Sequence, residues 1–367
     1  MREVHVSTQA AAISVRPLLI TADSNLLDDV LRLAAAADVE LEVAHAVAVA
    51  RPSWPAAPLV IVGADLAEDL VRRGPPRRAG VVVVGTEHDE PDIWPLAVAL
   101  SAEQVVLLPD SETWLVDRLA DALEGDAPRA VTMCVLGGRG GAGATVLAAS
   151  LAVCATRSGR RTLLVDGDPL GGGIDLVLGG EHTAGARWSD FAGTRGRLSC
   201  STLSDALPRV DELTVLSLDR GDTRAIPAEA MRAVLAAAER GTDLVVVDLP
   251  RSLDEAAEEA LSRATVVLLV VPAEVRATVA ASRVVGAVRR CAADVRVVVR
   301  GPAPTGLEGQ TIAESLGLPL AGRMCAEPDL GAALDRGEPP AVRGKGPLAE
   351  FCAWFLAGLW GERERVR

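Results

Sequence analysis

The sequence predicts two α/β domains in tandem, each a doubly wound parallel sheet flanked by helices. Short apolar runs that end in turn residues alternate with stretches of helical periodicity, which is the pattern of parallel strands joined by helices. The alternation stops at a segment rich in charge, glycine and proline and then starts again. We therefore expect a tail over 1–14, a smaller domain over 15–124, a linker over 125–130 and a larger domain over 131–367.

The individual elements follow from the same alternation. In the first domain, strand-like runs lie at 16–24, 58–65, 80–87 and 103–111, and a helix-like stretch lies at 25–36. In the second domain, strands are predicted near 131–136, 162–166, 213–217, 243–248, 265–271 and 294–299. Helices are predicted there near 144–157, 227–240 and 276–290.

Composition and charge exclude several classes of protein. The 367 residues carry 37 basic and 50 acidic side chains, and the net charge of -13 argues against strong nucleic-acid binding. The longest apolar run, 264–273, is far shorter than the ~20 residues of a membrane-spanning helix, and the first twenty residues have no signal-peptide pattern. The six cysteines form no C-x-x-C pair and have no histidine cluster, which disfavours zinc or redox sites. We expect a cytoplasmic protein with free thiols.

The segment "GGRGGAGAT" (137–145) has the spacing of a phosphate-binding loop, G-x-x-x-x-G-K-[ST]. Gly138, Gly143 and Thr145 fit this spacing, but the lysine position holds Ala144. Backbone N–H groups and the start of the following helix can still hold an anion without a side-chain charge. The alternative is a glycine-rich turn with no ligand.

Acidic residues follow two other buried strands. Asp166 and Asp168 come at the end of one, and Asp248 at the end of another. Because the carboxyl ends of parallel strands share one edge, these acids are expected near the glycine loop, where they can reach Mg²⁺ or a water beside a γ-phosphate.

These motifs resemble a known family. R-G-G-x-G-x-T, then D-x-D-P, then V-V-V-D-x-P are similar to the deviant phosphate-loop ATPases of the MinD/ParA group, whose loop reads K-G-G-x-G-K-[ST], and the similarity extends over 131–340. With the N-terminal domain included, the chain resembles the actinobacterial septum site-determining (Ssd) proteins, a CpaE-like branch of that group. The resemblance implies a MinD/ParA-like P-loop fold, with ATP and Mg²⁺ as the expected ligands.

The resemblance also implies roles for individual residues. Thr145 and Asp248 would serve Mg²⁺, Asp166 would position the attacking water, and Arg139 would take the place of a lysine that reaches the partner's nucleotide in a dimer. The implied nucleotide-binding residues are Gly138, Arg139, Gly140, Gly141, Ala142, Gly143, Ala144, Thr145 and Asp168.

Two departures from the family pattern weaken that expectation. Without a lysine at 144 the phosphates lose a charge-assisted hydrogen bond of roughly 1.5–3 kcal/mol, and the bulkier, planar Arg139 need not replace it. Where the family has an asparagine that reads adenine, this chain has Arg300, Gly301 and Pro302. We expect weak or absent ATP binding and slow or absent hydrolysis, as in a pseudo-ATPase.

The first domain resembles a degenerate, flavodoxin-like receiver domain. Asp23 stands at the place of the acidic pair and Thr86 at that of the usual hydroxyl, but Gly63 lies near the phospho-acceptor position and Asp65 comes two residues late. Leu108 or its neighbour replaces the lysine. The implied role is docking of partners without phosphorylation.

The C-terminal segment 347–360 is rich in large apolar residues. MinD proteins end in a membrane-targeting helix, but this segment lacks the basic polar face of a surface-seeking helix. We favour packing of Phe351, Trp354, Phe355 and Leu359 on the domain's own sheet over membrane contact.

Three functions remain open at this point. The first is a regulator of septum-site selection, or of a pilus or secretion system, that binds partner proteins and has little ATPase activity. The second is an active, ATP-dependent dimerising switch in which Arg139 replaces the lysine. The third, disfavoured by the net charge, is a ParA-like DNA partitioning ATPase.

Overall fold

A computed structural model describes residues 16–37, 39–86, 89–124, 130–194, 198–220, 225–303 and 306–366. The chain divides into two compact units, Met1–Ala127 and Pro128–Arg367. Each unit has a largely parallel sheet with helices on both faces, so the predicted tandem of α/β domains is confirmed. The predicted tail and residues 125–129 of the predicted linker lie outside the described residues.

The first unit has the topology of a receiver domain. Its strands are β1 (Leu18–Ile20), β2 (Glu42–Ala44), β3 (Val60–Gly63), β4 (Val81–Thr86) and β5 (Gln104–Leu108). Its helices are α1 (Ser24–Ala36), α2 (Val47–Ala50), α3 (Ala64–Arg73), α4 (Glu90–Leu100) and α5 (Glu112–Glu124). In the described residues the parallel sheet has the order β2-β1-β3-β4-β5, with α1 and α5 on one face and α2, α3 and α4 on the other.

The second unit has a larger sheet. Its strands are β6 (Val131–Gly137), β7 (Thr162–Asp166), β8 (Arg209–Val210), β9 (Leu213–Leu216), β10 (Leu244–Leu249), β11 (Val266–Pro272), β12 (Val295–Arg300) and β13 (Leu320–Met324). Its helices are α6 (Ala144–Arg157), α7 (Ile174–Val177), α8 (Trp188–Phe191), α9 (Cys200–Ala206), α10 (Ala228–Gly241), α11 (Glu255–Arg263), α12 (Val275–Val288), α13 (Gly309–Leu316), α14 (Leu330–Asp335) and α15 (Pro347–Val366).

The strand order of this sheet brings the three predicted motifs to one edge. Within the described residues the order is β13-β12-β11-β6-β10-β7-β9-β8, and only the short β8 runs antiparallel. The chain goes from β6 to β7 and β9 on one side, returns to β10 beside β6, and then crosses to β11 on the other side. Such a reversal opens a crevice at the carboxyl ends of the strands.

Burial on both faces explains why the central strands are so apolar. Every residue of β6, β10 and β11 is buried, since α10 to α13 cover one face while α6 and α15 cover the other. Valine and leucine suit a strand that is packed on both sides. The predicted strands and helices of this domain match the observed ones to within one or two residues.

The C-terminal helix α15 packs on its own domain, with one exception to the prediction. Phe351, Phe355 and Leu359 are buried with α6 and the sheet, as predicted. The prediction is wrong for Trp354, because 63% of the surface of this residue is exposed. At helical spacing it falls on the outer side of the stripe that Phe351 and Phe355 define.

This difference along α15 predicts a difference in stability. The Phe355→Ala variant should lower the free energy of unfolding by about 3–5 kcal/mol, because truncation leaves a cavity between α15, α6 and the sheet. Trp354→Ala, one position earlier on the same helix, is the matched control and should cost less than about 1 kcal/mol. Urea unfolding followed by circular dichroism measures both, and equal losses would contradict the packing described here.

Candidate nucleotide-binding site

The glycine loop lies between the end of β6 and the start of α6. Gly138 N–H donates to the Val270 carbonyl of β11 at 2.8 Å, which anchors the loop to the sheet. A Cβ at Gly138 would lie 2.7 Å from the Ala281 Cβ of α12, so only glycine allows this close packing. Gly143, the residue before α6, has a φ of 94°, which favours glycine.

The glycine loop is open at its centre but has no side-chain charge at the lysine position. A Cβ built on Gly140 or Gly141 would meet nothing within 4 Å, so this part of the loop is open. Ala142 is buried, and Ala144 packs partly against the core beneath α6. The first N–H groups of α6 therefore remain as the donors that the helix offers to an anion.

Asp166 and Asp248 meet at the carboxyl edge of the sheet, as the sequence predicts. They are direct neighbours across the parallel pair β7 and β10, and they are only 2% and 3% exposed. The Asp166 carboxylate accepts from Ile174 N–H at 2.9 Å and from Asp168 N–H at 3.2 Å. The Asp166 carbonyl accepts from the Trp188 indole at 2.7 Å, which fixes this strand end.

Burial changes the protonation of both acids. Desolvation raises the pKa of Asp248 to about 8, although a hydrogen bond with Thr145 lowers it. Desolvation raises the pKa of Asp166 to about 6, against the opposing effect of the N–H groups of Ile174 and Asp168. Burial therefore favours the protonated form of Asp248 more strongly than that of Asp166.

Arg139 lies against an acid of its own domain. Its Nη2 donates to the Glu274 carboxylate at 2.9 Å, and its Nη1 donates to the Gly140 carbonyl at 3.1 Å. Its Nε is buried and has no hydrogen-bond partner among the described residues. Arg139 is therefore paired with Glu274, the residue just before α12, in an ion pair that is partly exposed to solvent.

Arg300 is the residue whose contact with the loop the sequence does not reveal. It ends β12, and its Nη1 donates to the Gly141 carbonyl at 3.2 Å. A sequence signal exists, because Arg300 is the last residue of an apolar strand whose carboxyl end lies at the same sheet edge as Asp166 and Asp248. The sequence shows Arg300 only as a departure from the expected asparagine.

The phospho-acceptor region of the first unit is filled by Asp65. Its carboxylate accepts from the Thr21 hydroxyl at 2.9 Å and from the N–H groups of Ala22 and Asp23 at 2.7 and 3.1 Å. A Cβ at Gly63 would lie 2.3 Å from the Asp65 carboxylate. Asp65 therefore folds back over the place where a side chain of residue 63 would project.

The other receiver positions have structural uses as well. Asp23 caps α1 by accepting from the Asn25 N–H at 2.8 Å. The Thr86 hydroxyl donates to Asp89 at 2.9 Å, and Leu108 is a buried apolar residue at the end of β5.

The part of the chain that the structure describes contains no cluster of three or more His, Cys, Asp or Glu that could hold a metal ion. Nor does any helix there have the length and apolarity needed to cross a bilayer.

The comparisons with known proteins agree with this architecture. The family model described as "Rv3660c-like, CheY-like N-terminal domain" matches residues 20–130. The protein Rv3660c of Mycobacterium tuberculosis is 38% identical over 319 residues, which are 86% of this chain and 90% of the relative. The chain belongs to the Rv3660c family.

The second unit relates this Rv3660c-family chain to the MinD/ParA group. A putative septum site-determining protein MinD of Nephroselmis olivacea is 26% identical over 223 residues, or 59% of this chain and 81% of the relative. The crystal structure of a ParA family ATPase from Chlorobium tepidum matches with a TM-score of 0.56 at 19% identity, over 63% of this chain and 99% of that one. The chain is therefore a MinD/ParA-like protein with a CheY-like N-terminal domain.

The residues present fit a nucleotide with Mg²⁺ in shape better than in charge. The open glycines and the N-terminus of α6 suit phosphate oxygens, and Thr145 with Asp248 suit a hydrated cation that also binds phosphate. Asp166 and Asp168 place negative charge near the loop and Asp248 adds a buried carboxyl group, whereas Ala144 offers no positive charge.

The buried Asp248 makes stability depend on pH. Its pKa of about 8 is above the usual 3.8, so the folded state holds a proton that the unfolded state releases, and stability falls as pH rises from about 4 to 8. Asp166 acts in the same direction up to about pH 6. In EDTA, Asp248→Asn should be more stable than the natural protein by a few kcal/mol at pH 8, and this advantage should shrink towards pH 5.

Urea unfolding at several pH values measures this effect. Asp205→Asn, on the exposed side of α9, is the control and should show no such trend. The free energy of unfolding of Asp248→Asn could instead exceed that of the natural protein by the same amount at pH 5 and pH 8. That result would contradict the desolvation of Asp248.

The engagement of Asp65 predicts that the first unit does not accept a phosphoryl group. Incubation with acetyl phosphate and Mg²⁺ should leave the intact mass of the protein unchanged, because residue 63 has no carboxylate and Asp65 is occupied by three donors. An active receiver protein in the same mixture is the control. A phosphorylated peptide containing Asp65 would show that the receiver chemistry persists.

Proposed function

We propose that this protein is a MinD/ParA-type regulator of cell division that acts by binding partner proteins and has weak or no ATPase activity. The observation that carries the proposal is an open glycine loop before α6, with a positive φ at Gly143 and with Ala144 at the position of the lysine. A glycine loop without the lysine charge favours a role in binding partner proteins over ATP hydrolysis.

The magnitude of the missing charge supports this proposal. A charge-assisted hydrogen bond contributes roughly 1.5–3 kcal/mol, so its loss weakens phosphate binding about tenfold to hundredfold. Hydrolysis should suffer more than binding, because negative charge on the transferred phosphoryl group is stabilised by such donors in the transition state. The Arg139 side chain does not replace the lysine while it is paired with Glu274.

The partners we propose are cell-division proteins, with pilus or secretion proteins as the alternative, and a second copy of the chain. The first unit supports docking because its fold is retained while its phospho-acceptor position is a glycine covered by Asp65. The protein would act in the cytoplasm and reach the septum or membrane through these partners. A role in DNA partitioning is disfavoured by the net charge of -13.

Calorimetric titration with ATP and Mg²⁺ tests the nucleotide part of the proposal. The Ala144→Lys variant should bind at least about tenfold more tightly than the natural protein, because it restores the lysine donor at the start of α6. Steady-state phosphate release from the natural protein should not exceed that of Asp166→Ala, which lacks the water-positioning carboxylate.

The opposite result would support the active switch. If the natural protein binds ATP at micromolar concentration and its phosphate release disappears in Asp166→Ala, then the weak-ATPase proposal is wrong. Arg139→Ala would then show whether Arg139 leaves Glu274 to do the work of the lysine.

A further inference from the structure

We propose that Arg300 supplies the positive charge of the glycine loop in place of a lysine at 144 and binds the phosphate groups of a nucleotide or of another polyphosphate. The inference rests on the proposed function only in so far as both concern the same loop. It adds a phosphate-binding residue that comes from β12, 159 positions away in sequence from its contact at Gly141.

The backbone of Arg300 is hydrogen-bonded to the chain segments on both sides of β12 within the sheet. Its carbonyl accepts from Ala273 N–H at 2.9 Å, and the following Gly301 N–H donates to the Met324 carbonyl at 2.9 Å. In the ladder it is paired with Pro272 of β11 and Met324 of β13. The starting point of the side chain is therefore fixed relative to β6, which carries the loop.

The guanidinium of Arg300 lies at the N-terminus of α6. Nη1 donates to the Gly141 carbonyl at 3.2 Å and lies 3.1 Å from the place of a Cβ on Gly143. Gly143 is the residue that precedes α6, so the charge is close to the donors that the helix offers to an anion. Any larger residue at 143 would meet the guanidinium.

The two arginines near the loop, Arg300 and Arg139, differ in their partners. Among the described residues Arg300 forms no ion pair, and its hydrogen bond is to the neutral carbonyl of Gly141. Arg139 is within 2.9 Å of the Glu274 carboxylate. A guanidinium has five N–H donors in a planar fork, so one bond to Gly141 leaves donors for phosphate oxygens.

The loop needs such a cation because its other neighbours are acids. Asp166 and Asp248 are buried side by side on adjacent strands at this edge, and Asp168 lies two residues beyond Asp166. A polyphosphate brings further negative charge to this edge. Arg300 places a positive charge beside Gly141 and Gly143, whereas the neighbouring Ala144 provides none.

Isothermal titration with two probes tests the inference: ATP with Mg²⁺ and inorganic tripolyphosphate with Mg²⁺. The variant R300Q removes the charge and keeps a donor for the Gly141 carbonyl, whereas R300K keeps the charge. R296Q is the matched control, because Arg296 lies on the same strand but pairs with Asp294 and Glu362. Thermal unfolding checks that each variant is folded, and R300M replaces R300Q if the latter is not.

The expected result is that R300Q binds both probes about tenfold to hundredfold more weakly than the natural protein, because a charged donor is lost. R300K should recover part of that loss, and R296Q should bind like the natural protein. Equal affinity of R300Q and the natural protein would overturn the inference. A loss confined to ATP would overturn it too, because Arg300 would then contact the nucleoside and not the phosphates.

The A144K background keeps the test decisive if the natural protein gives no measurable heat. There, A144K should bind tripolyphosphate, and the double variant A144K/R300Q should bind it about tenfold more weakly. Equal affinities of these two variants would overturn the role of Arg300. This comparison does not depend on hydrolysis by the natural protein, so failure of the proposed function would be seen separately.

Discussion

The cost of burying charge at the carboxyl edge of the second sheet determines what the site can do. Asp166 and Asp248 sit on adjacent strands with almost no exposure, since β7 and β10 are covered on both faces by helices. Two carboxylates cannot both remain ionised there without a compensating cation or strong donors. Asp166 has two backbone N–H donors, whereas Asp248 has the hydroxyl of Thr145. A positive charge brought close to Asp248 would therefore favour its ionised form.

Much of the second domain could be predicted from sequence because its central strands are buried on both faces. A strand such as β10 must then be apolar along its whole length, which makes it visible without knowledge of its partners. Short edge strands are harder, and β13 with its half-buried "LAGRM" is not among the strands predicted from the hydrophobic pattern. The same holds for β2 in the first unit, whose Glu42 is exposed. Edge strands bury little, so hydrophobic pattern constrains them weakly.

The candidate site was predictable to the extent that it depends on backbone. The glycine spacing and the acids at strand ends follow from local sequence, because parallel strands bring their carboxyl ends to one edge. The partners of the long side chains were not predictable. Whether Arg139 meets Glu274, and whether Arg300 meets Gly141, depends on strand order and register across β6, β11 and β12. Those relations appear only when the sheet is assembled.

The two units depart from their families in different physical ways. In the first unit, the Asp65 carboxylate accepts hydrogen bonds from three donors of the loop after β1. Asp65 is therefore part of the structure of that loop. In the second, the charge at 144 is gone while the cradle stays open, and an arginine from β12 lies at the helix start. The Asp65 site cannot accept a ligand without losing hydrogen bonds, whereas the open glycine loop with Arg300 beside it can. For this reason the second unit, and not the first, is where a phosphate-bearing ligand is to be sought.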